Sequence, residues 1–236
     1  MNQINTFKKT KIIIALDYPD VKSAMQLIFQ LDPTIYKLKI GQEMFIRFGK
    51  KFIHQLKSLN FDIFLDLKFH DIPSTIFKSV YAASELGVWM ISLHACGGIK
   101  MMQYAKKAIK NCNQPLPLLV AVTALTSFSI NHLQKIGVTV SLKEYILQLS
   151  KIIQLSKLDG IICPGVMSNV IKNTIDYSIK TIVPGIRFKN HISHDQKIIT
   201  TPQNIKKYNI NYIVVGRTIT QSTNPLKKLN NILNYI

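Results

Sequence analysis

Eight short apolar runs recur along the chain, each followed by a stretch patterned as a helix. The runs occupy residues 11–17, 35–40, 62–67, 88–94, 117–124, 160–163, 179–183 and 212–215. Their β-branched and aliphatic side chains form near-continuous apolar stretches, the pattern of parallel strands covered on both faces. Helical patterns follow at 21–30, 43–58, 75–86, 99–110, 142–156, 166–174 and 202–208, and a last one at 225–235 closes the count. Ser74 ahead of the third helix, Gly41 after the second strand and Gly87 after Leu86 read as caps and turns. Eight such pairs in 236 residues predict an α/β fold of the (β/α)8 TIM barrel type, with residues 1–236 as a single domain.

A barrel of this kind places its active site at the C-terminal ends of the strands. Strand one ends in Asp17, strand two carries Lys39, strand three ends in Asp66 with Lys68 just beyond, and strand four ends in His94. Thr123 and Thr126 follow strand five, and the last two strands run into P-G-I-R and V-G-R. Asp66, Lys68 and Asp71 alternate in sign within D-L-K-F-H-D, with Lys39 on the neighbouring strand. Paired and hydrogen-bonded, such charges tolerate burial and hold a lysine protonated and rigid. A fixed ammonium can stabilise a developing carbanion and deliver the proton that quenches it. The same residues also suit a salt-bridge ladder that stiffens the barrel rim.

Loops seven and eight carry Gly185 with Arg187 and Gly216 with Arg217. Barrels often bind phosphate with the backbone of these two loops, where glycine lets the main chain approach the oxygens. Composition adds weight to the arginines. The formal charge is +18, yet of 30 basic residues only Arg47, Arg187 and Arg217 are arginines, and Ile, Lys and Asn abound throughout. That bias suggests a drift toward A and T codons, under which an arginine needed only for solubility is readily exchanged for lysine. One gripping a phosphate with its planar fork is not. Residues 188–201 have no helix or strand pattern and read as a lid, with Gln196 within reach of a phosphate or base edge, or as a plain surface loop.

The lysines are scattered over all the helices without interleaved aromatics, which argues against a nucleic-acid partner. No apolar run approaches the roughly 20 residues of a membrane span, and the first residues lack the pattern of a signal peptide. Cys96, Cys112 and Cys163 are widely spaced with no C-x-x-C pair, which fits a reducing cytoplasm better than a disulfide framework or zinc site. Cys96 reads as a small buried residue, Trp89 as core, and His70 and His94 as structural groups and not metal ligands.

D-I-F-L-D-L-K-F-H-D-I-P-S-T, G-V-W-M-I-S-L-H-A-C-G-G, A-V-T-A-L-T-S, V-P-G-I-R and V-V-G-R-T-I-T-Q-S occur in this order. Together they closely resemble the bacterial orotidine 5'-phosphate decarboxylases, from about Ile12 to the last helix. The resemblance implies decarboxylation of orotidine 5'-monophosphate to UMP without metal or organic cofactor. It implies Lys68 as proton donor to C6, Asp66 against the substrate carboxylate, and Lys39 and Asp17 on the ribose hydroxyls. It further implies Thr126 and Ser127 near the base, Arg187, Gln196, Gly216 and Arg217 as phosphate and lid contacts, and a homodimer in which Asp71 and Thr75 reach the partner's site. Cys163, Pro164 and Gly165 depart from the small and polar residues expected of relatives. Magnesium-dependent 3-keto-gulonate-phosphate decarboxylases and hexulose-phosphate synthases share the D-x-K-x-x-D core, but F-H-D-I-P-S-T and L-T-S argue against them.

Overall fold

Eight strands, all parallel and neighbours in sequence order, close into a barrel. They are β1 (Lys11–Ala15), β2 (Tyr36–Gly41), β3 (Ile63–Phe69), β4 (Met90–His94), β5 (Leu118–Val122), β6 (Gly160–Ile162), β7 (Lys180–Val183) and β8 (Tyr212–Val215). The computed structural model describes residues 10–112, 115–125, 128, 130–188 and 199–236. Among them the helices are α1 (Val21–Ile28), α2 (Gln42–Ser58), α3 (Pro73–Glu85), α4 (Gly98–Lys110), α5 (Ile130–Lys135), α6 (Leu142–Leu155), α7 (Gly165–Thr174), α8 (Arg217–Thr220) and α9 (Pro225–Leu233). None of the described helices is long and apolar enough to cross a membrane.

Strand alternation sorts the apolar side chains into two cores. Tyr36, Leu38 and Ile40 of β2 face outward into the layer under the helices. Ile13, Ala15, Phe64, Met90, Val120, Val122, Ile162, Ile182 and Val214 fill the barrel interior. Lys37 and Lys39 alternate with the outward set, so β2 sends one lysine to each end of the barrel. At the N-terminal end Lys37 pairs with Asp62 and lies 4.4 Å above the Trp89 ring, and that ring meets Tyr212 edge-on at 5.3 Å. Trp89, expected as plain core, is half-buried and floors the barrel, because a ring this wide closes the end better than it fits the interior.

Three local expectations are corrected. Residues 202–208 form a 3-10 turn over Pro202–Asn204 followed by irregular turns, not a helix. The buried side chains there, Pro202 and Ile205, are three residues apart, a spacing that a 3-10 turn satisfies by eclipsing them and that by itself does not call for an α-helix. The third helix begins at Pro73 with Ile72 as its N-cap, so Ser74 lies inside it. Proline at the first helical position needs no intrahelical donor and arrives with the right φ, which outcompetes a serine cap one residue later. Finally, α5 and α8 are helices of one or two turns that lie outside the helical patterns of the sequence.

The departing tripeptide braces the far side of the barrel. Pro164 is the N-cap of α7 and Gly165 its first residue. A Cβ on Gly165 would come within 2.2 Å of the Thr200 Oγ1, so the glycine lets Thr200 lie against the helix start. Thr200 in turn donates its N–H to the Gly185 carbonyl at 3.1 Å and accepts the Arg187 N–H at 3.0 Å. This clip ties Gly185 and Arg187 to Thr200, and Gly185 reaches it through a left-handed φ of 78°.

Gly160 tests the tightness of the wall. A Cβ there would lie 2.8 Å from the Lys180 carbonyl and 3.1 Å from a Val120 methyl. Backbone cannot step aside as a side-chain tip can. Gly160→Ala is therefore expected to cost about 1–3 kcal/mol of stability by overpacking, read from urea unfolding; a change below about 0.5 kcal/mol would mean that β6 and β7 are not clamped together.

Candidate active site

At the C-terminal mouth of the barrel lies a cavity of about 220 Å³. Its wall brings together Asp17, Lys39, Asp66, Lys68, Arg187, Gly216 and Arg217 over an apolar base that includes Phe64, Val122, Ile162, Ile182 and Val214. Asp71 and Thr75 do not line it; they sit at the exposed start of α3, where the Asp71 carboxylate accepts the Ile72 N–H. Thr126, Ser127 and Gln196 lie outside the described residues.

The charged wall is organised around Asp66. Its side chain is only 9% exposed, and Oδ2 lies 2.9 Å from Lys68 Nζ and 3.5 Å from Lys39 Nζ. Oδ1 accepts the Ser92 hydroxyl at 2.8 Å. Lys39 also reaches Asp17 at 3.4 Å, which extends the network to β1. Asp71, anticipated as a third carboxylate of this chain's own network, makes no ion pair among the described residues. It precedes α3, whose start at Pro73 with Ile72 as N-cap leaves Asp71 exposed and outside the cavity wall.

Burial acts most strongly on the Asp66 carboxyl and pushes its pKa up, but the Lys39 and Lys68 charges, with hydrogen bonds from Lys68 and Ser92, together outweigh it. The group ends below the usual carboxylate range and stays ionised. A lone buried carboxylate would instead take up a proton.

Lys68 reaches this position through an irregularity in β3. Leu65 pairs with Ile91 and Phe69 with Leu93, so three residues of β3 stand opposite the single residue Ser92 of β4. Lys68 adopts φ 51°, a left-handed backbone that a non-glycine residue enters at a cost on the order of 1 kcal/mol. The Lys68 N–H donates to Ser92 Oγ at 2.9 Å in place of a regular ladder bond. Bulges of this kind re-aim a side chain, and here the aimed group is the ammonium. Ser92 was not singled out from the sequence, although its position two residues after Met90 and two before His94 puts it on the inward face of β4.

Opposite, Arg187 is buried, with Nη1 donating to the Ile186 carbonyl at 2.9 Å and to the Thr218 hydroxyl at 3.3 Å. Thr218 donates to the same carbonyl at 2.8 Å, which ties the loops after β7 and β8 together. Gly216 is the N-cap of α8, and a Cβ there would meet Asp17 at 3.4 Å. The two arginines and two glycines thus form a cationic wall with close backbone, facing the lysine wall across the apolar base.

The remaining candidates fall outside this chemistry. Cys163 lines the cavity but is fully shielded, and burial pushes its thiol up to about 12, so it remains an inert thiol. Cys96 is exposed on the 3-10 turn Ala95–Gly97, not buried as expected, because that turn carries it to the surface of the rim. The His70 and His94 rings lie 5.6 Å apart, and burial, with the charges of His70 and Lys68, lowers the pKa of His94. Among the described residues no three His, Cys, Asp or Glu side chains are grouped as metal ligands would be.

The likeness extends beyond the cavity. Residues 10–232 match the Orotidine 5'-phosphate decarboxylase / HUMPS family. The orotidine 5'-phosphate decarboxylase of Buchnera aphidicola subsp. Acyrthosiphon pisum is 52% identical over 229 residues, covering 97% of each chain. That of Psychromonas ingrahamii is 44% identical over 229 residues, covering 97% of this chain and 98% of its own. A crystal structure of orotidine 5'-phosphate decarboxylase from Lactobacillus acidophilus superposes with a TM-score of 0.85 at 31% identity, covering 96% of this chain and 99% of that one. A match across nearly the whole barrel, at these identities, means that the chain belongs to the Orotidine 5'-phosphate decarboxylase / HUMPS family.

Proposed function

We propose that this protein decarboxylates orotidine 5'-monophosphate to UMP and carbon dioxide, as a homodimer of single-domain barrels in the cytoplasm. The observation that carries the reading is the Asp66 carboxylate, ionised and held 2.9 Å from the Lys68 ammonium at a cavity whose far wall carries Arg187 and Arg217. The substrate is an anion at both ends, a phosphate and a carboxylate joined through a ribose and a flat base. The two walls and the apolar base complement those parts.

In this reading the 5'-phosphate sits between Arg187, Gly216 and Arg217, with Gln196 as a further phosphate contact. Charge-assisted contacts to phosphate are strong and directional, and a buried Arg187 already fixed by Ile186 and Thr218 loses little freedom on binding. The ribose hydroxyls meet Asp17 and Lys39, and Thr126 and Ser127 approach the base. These contacts press the substrate carboxylate toward Asp66. The bond from C6 to the carboxylate then breaks, its electron pair stays on C6, and carbon dioxide leaves. That carbanion lies in the plane of the ring and cannot delocalise into its π system, so the nearby ammonium is its main stabilisation. Lys68 gives its proton to C6, and solvent restores the lysine.

Binding energy from the phosphate, remote from the reacting carbon, is well placed to oppose the repulsion between two carboxylates. The dimer enters through Asp71 and Thr75. They lie off this chain's cavity, and the neighbouring Ile72 side chain is 64% exposed, an apolar group suited to a subunit contact beside a charge offered to the partner's site.

The direct test is to follow the ultraviolet absorbance of orotidine 5'-monophosphate with the purified protein, in excess chelator and without it. The expected result is full substrate loss at an unchanged rate in chelator, abolished by Lys68→Ala. No conversion by the wild type overturns the function, and loss of the activity in chelator overturns the metal-free step. In the same assay Arg217→Ala is expected to lower kcat/KM by about 100-fold, the scale of a charged hydrogen bond, while the surface change Lys107→Ala leaves it within about threefold. Equal effects of the two would remove the phosphate role from Arg217.

A further inference from the structure

We propose that Ser92 is a positioning residue for this reaction, fixing the Asp66 carboxylate and the Lys68 backbone relative to each other across the bulge in β3. This deepens, and rests on, the decarboxylase reading. Ser92 is fully buried, and its Oγ lies 2.8 Å from Asp66 Oδ1 and 2.9 Å from the Lys68 backbone nitrogen. The direction of both bonds follows from chemistry: an ionised carboxylate only accepts, so the hydroxyl proton goes to Asp66, and a lone pair of the same oxygen accepts the Lys68 N–H.

Of the other buried serines among the described residues, Ser168 links α7 to the Thr181 hydroxyl and the Asn209 carbonyl, away from the charged wall, and three satisfy themselves locally. Ser84, Ser150 and Ser156 each donate to a backbone carbonyl within three or four residues in their own helix. Ser92 instead spans two strands and touches the two residues to which the chemistry is assigned. With Oδ1 taken by Ser92, Oδ2 is the oxygen turned to Lys68 and Lys39, so one hydroxyl sets the plane of the carboxylate. The same hydroxyl holds the N–H of a residue in a left-handed conformation, where the regular ladder is interrupted. Removing it frees both the carboxylate plane and the bulge, so Lys68 Nζ and Asp66 Oδ2 lose their fixed separation. Misplacement on this scale acts on the chemical step more than on substrate capture, because the phosphate wall lies on other strands.

The test compares Ser92→Ala with Ser150→Ala, an equally buried serine on α6 far from the mouth, in steady-state decarboxylation of orotidine 5'-monophosphate with urea unfolding in parallel. Ser92→Ala is expected to lower kcat about 10- to 100-fold with KM within about threefold, whereas Ser150→Ala keeps the wild-type kcat at whatever stability it retains. A Ser92→Ala kcat within about threefold of wild type, or a loss carried by KM, overturns the proposal. Should Ser92→Ala not fold, Ser92→Cys decides, since its thiol leaves no cavity but donates weakly: a kcat reduced about tenfold is expected, and a wild-type kcat rejects the role. Failure of the wild type itself to consume the substrate would reject the decarboxylase reading instead, and is seen first in the same assay.

Discussion

A carboxylate buried at the mouth of a barrel has to be neutralised in place, and the arrangement around Asp66 follows from that constraint. Taking such a group out of water costs several kcal/mol unless charge and hydrogen bonds replace the lost solvation. Here two ammonium groups and one hydroxyl do so, supplied by β2, β3 and β4. Each donor has a structural consequence. Lys39 requires the strict alternation of β2, Lys68 requires a bulge and a left-handed backbone, and Ser92 must stand opposite that bulge. Removing one partner from such a network leaves an uncompensated buried charge, so its members stand or fall together.

The second wall is built on different principles. Arg187 and Arg217 are presented by loops after β7 and β8, and their precision comes from the tie through Thr218 and the clip between Gly185, Arg187 and Thr200. Gly165 makes room for that clip, so a tripeptide unlike its expected counterparts serves the anion side without touching the lysine side. Separation of the walls lets the anion grip and the proton donor be tuned independently, with the closed barrel holding the distance between them.

Most of the barrel could be read from the sequence because its signal is repetitive. Eight apolar runs with helical intervals survive an error of a residue or two at each boundary, and the strands occur where the runs are. The polar strand ends were legible for the same reason: Asp17, Lys39, Asp66 and the two arginines are exceptions within apolar surroundings. What escaped depends on single backbone geometries. The bulge in β3 leaves no mark in hydrophobic period, since Asp66 and Lys68 keep the spacing of a regular strand while their pairing slips. Ser92 lies within an apolar strand and carries no sequence pattern of its own; only its bonds to Asp66 and Lys68 across the bulge distinguish it. Pro202 and Ile205 mimic a helical pair, and the short α5 and α8 offer too few turns for any periodicity to show. Asp71 had the right spacing for the network but lies exposed ahead of α3, outside the cavity wall.

In the proposed reaction Lys68 is the acid that meets a carbanion at C6. Read in reverse, the same step removes the C6 proton of UMP, and it does so with no substrate carboxylate present, so the lysine's part is isolated from any repulsion by Asp66. The decisive measurement is exchange of that proton for deuterium, followed by proton NMR of UMP in D2O with the protein added. Exchange is expected with the wild type and none above the buffer rate with Lys68→Ala; exchange at the wild-type rate in Lys68→Ala would contradict the role of Lys68.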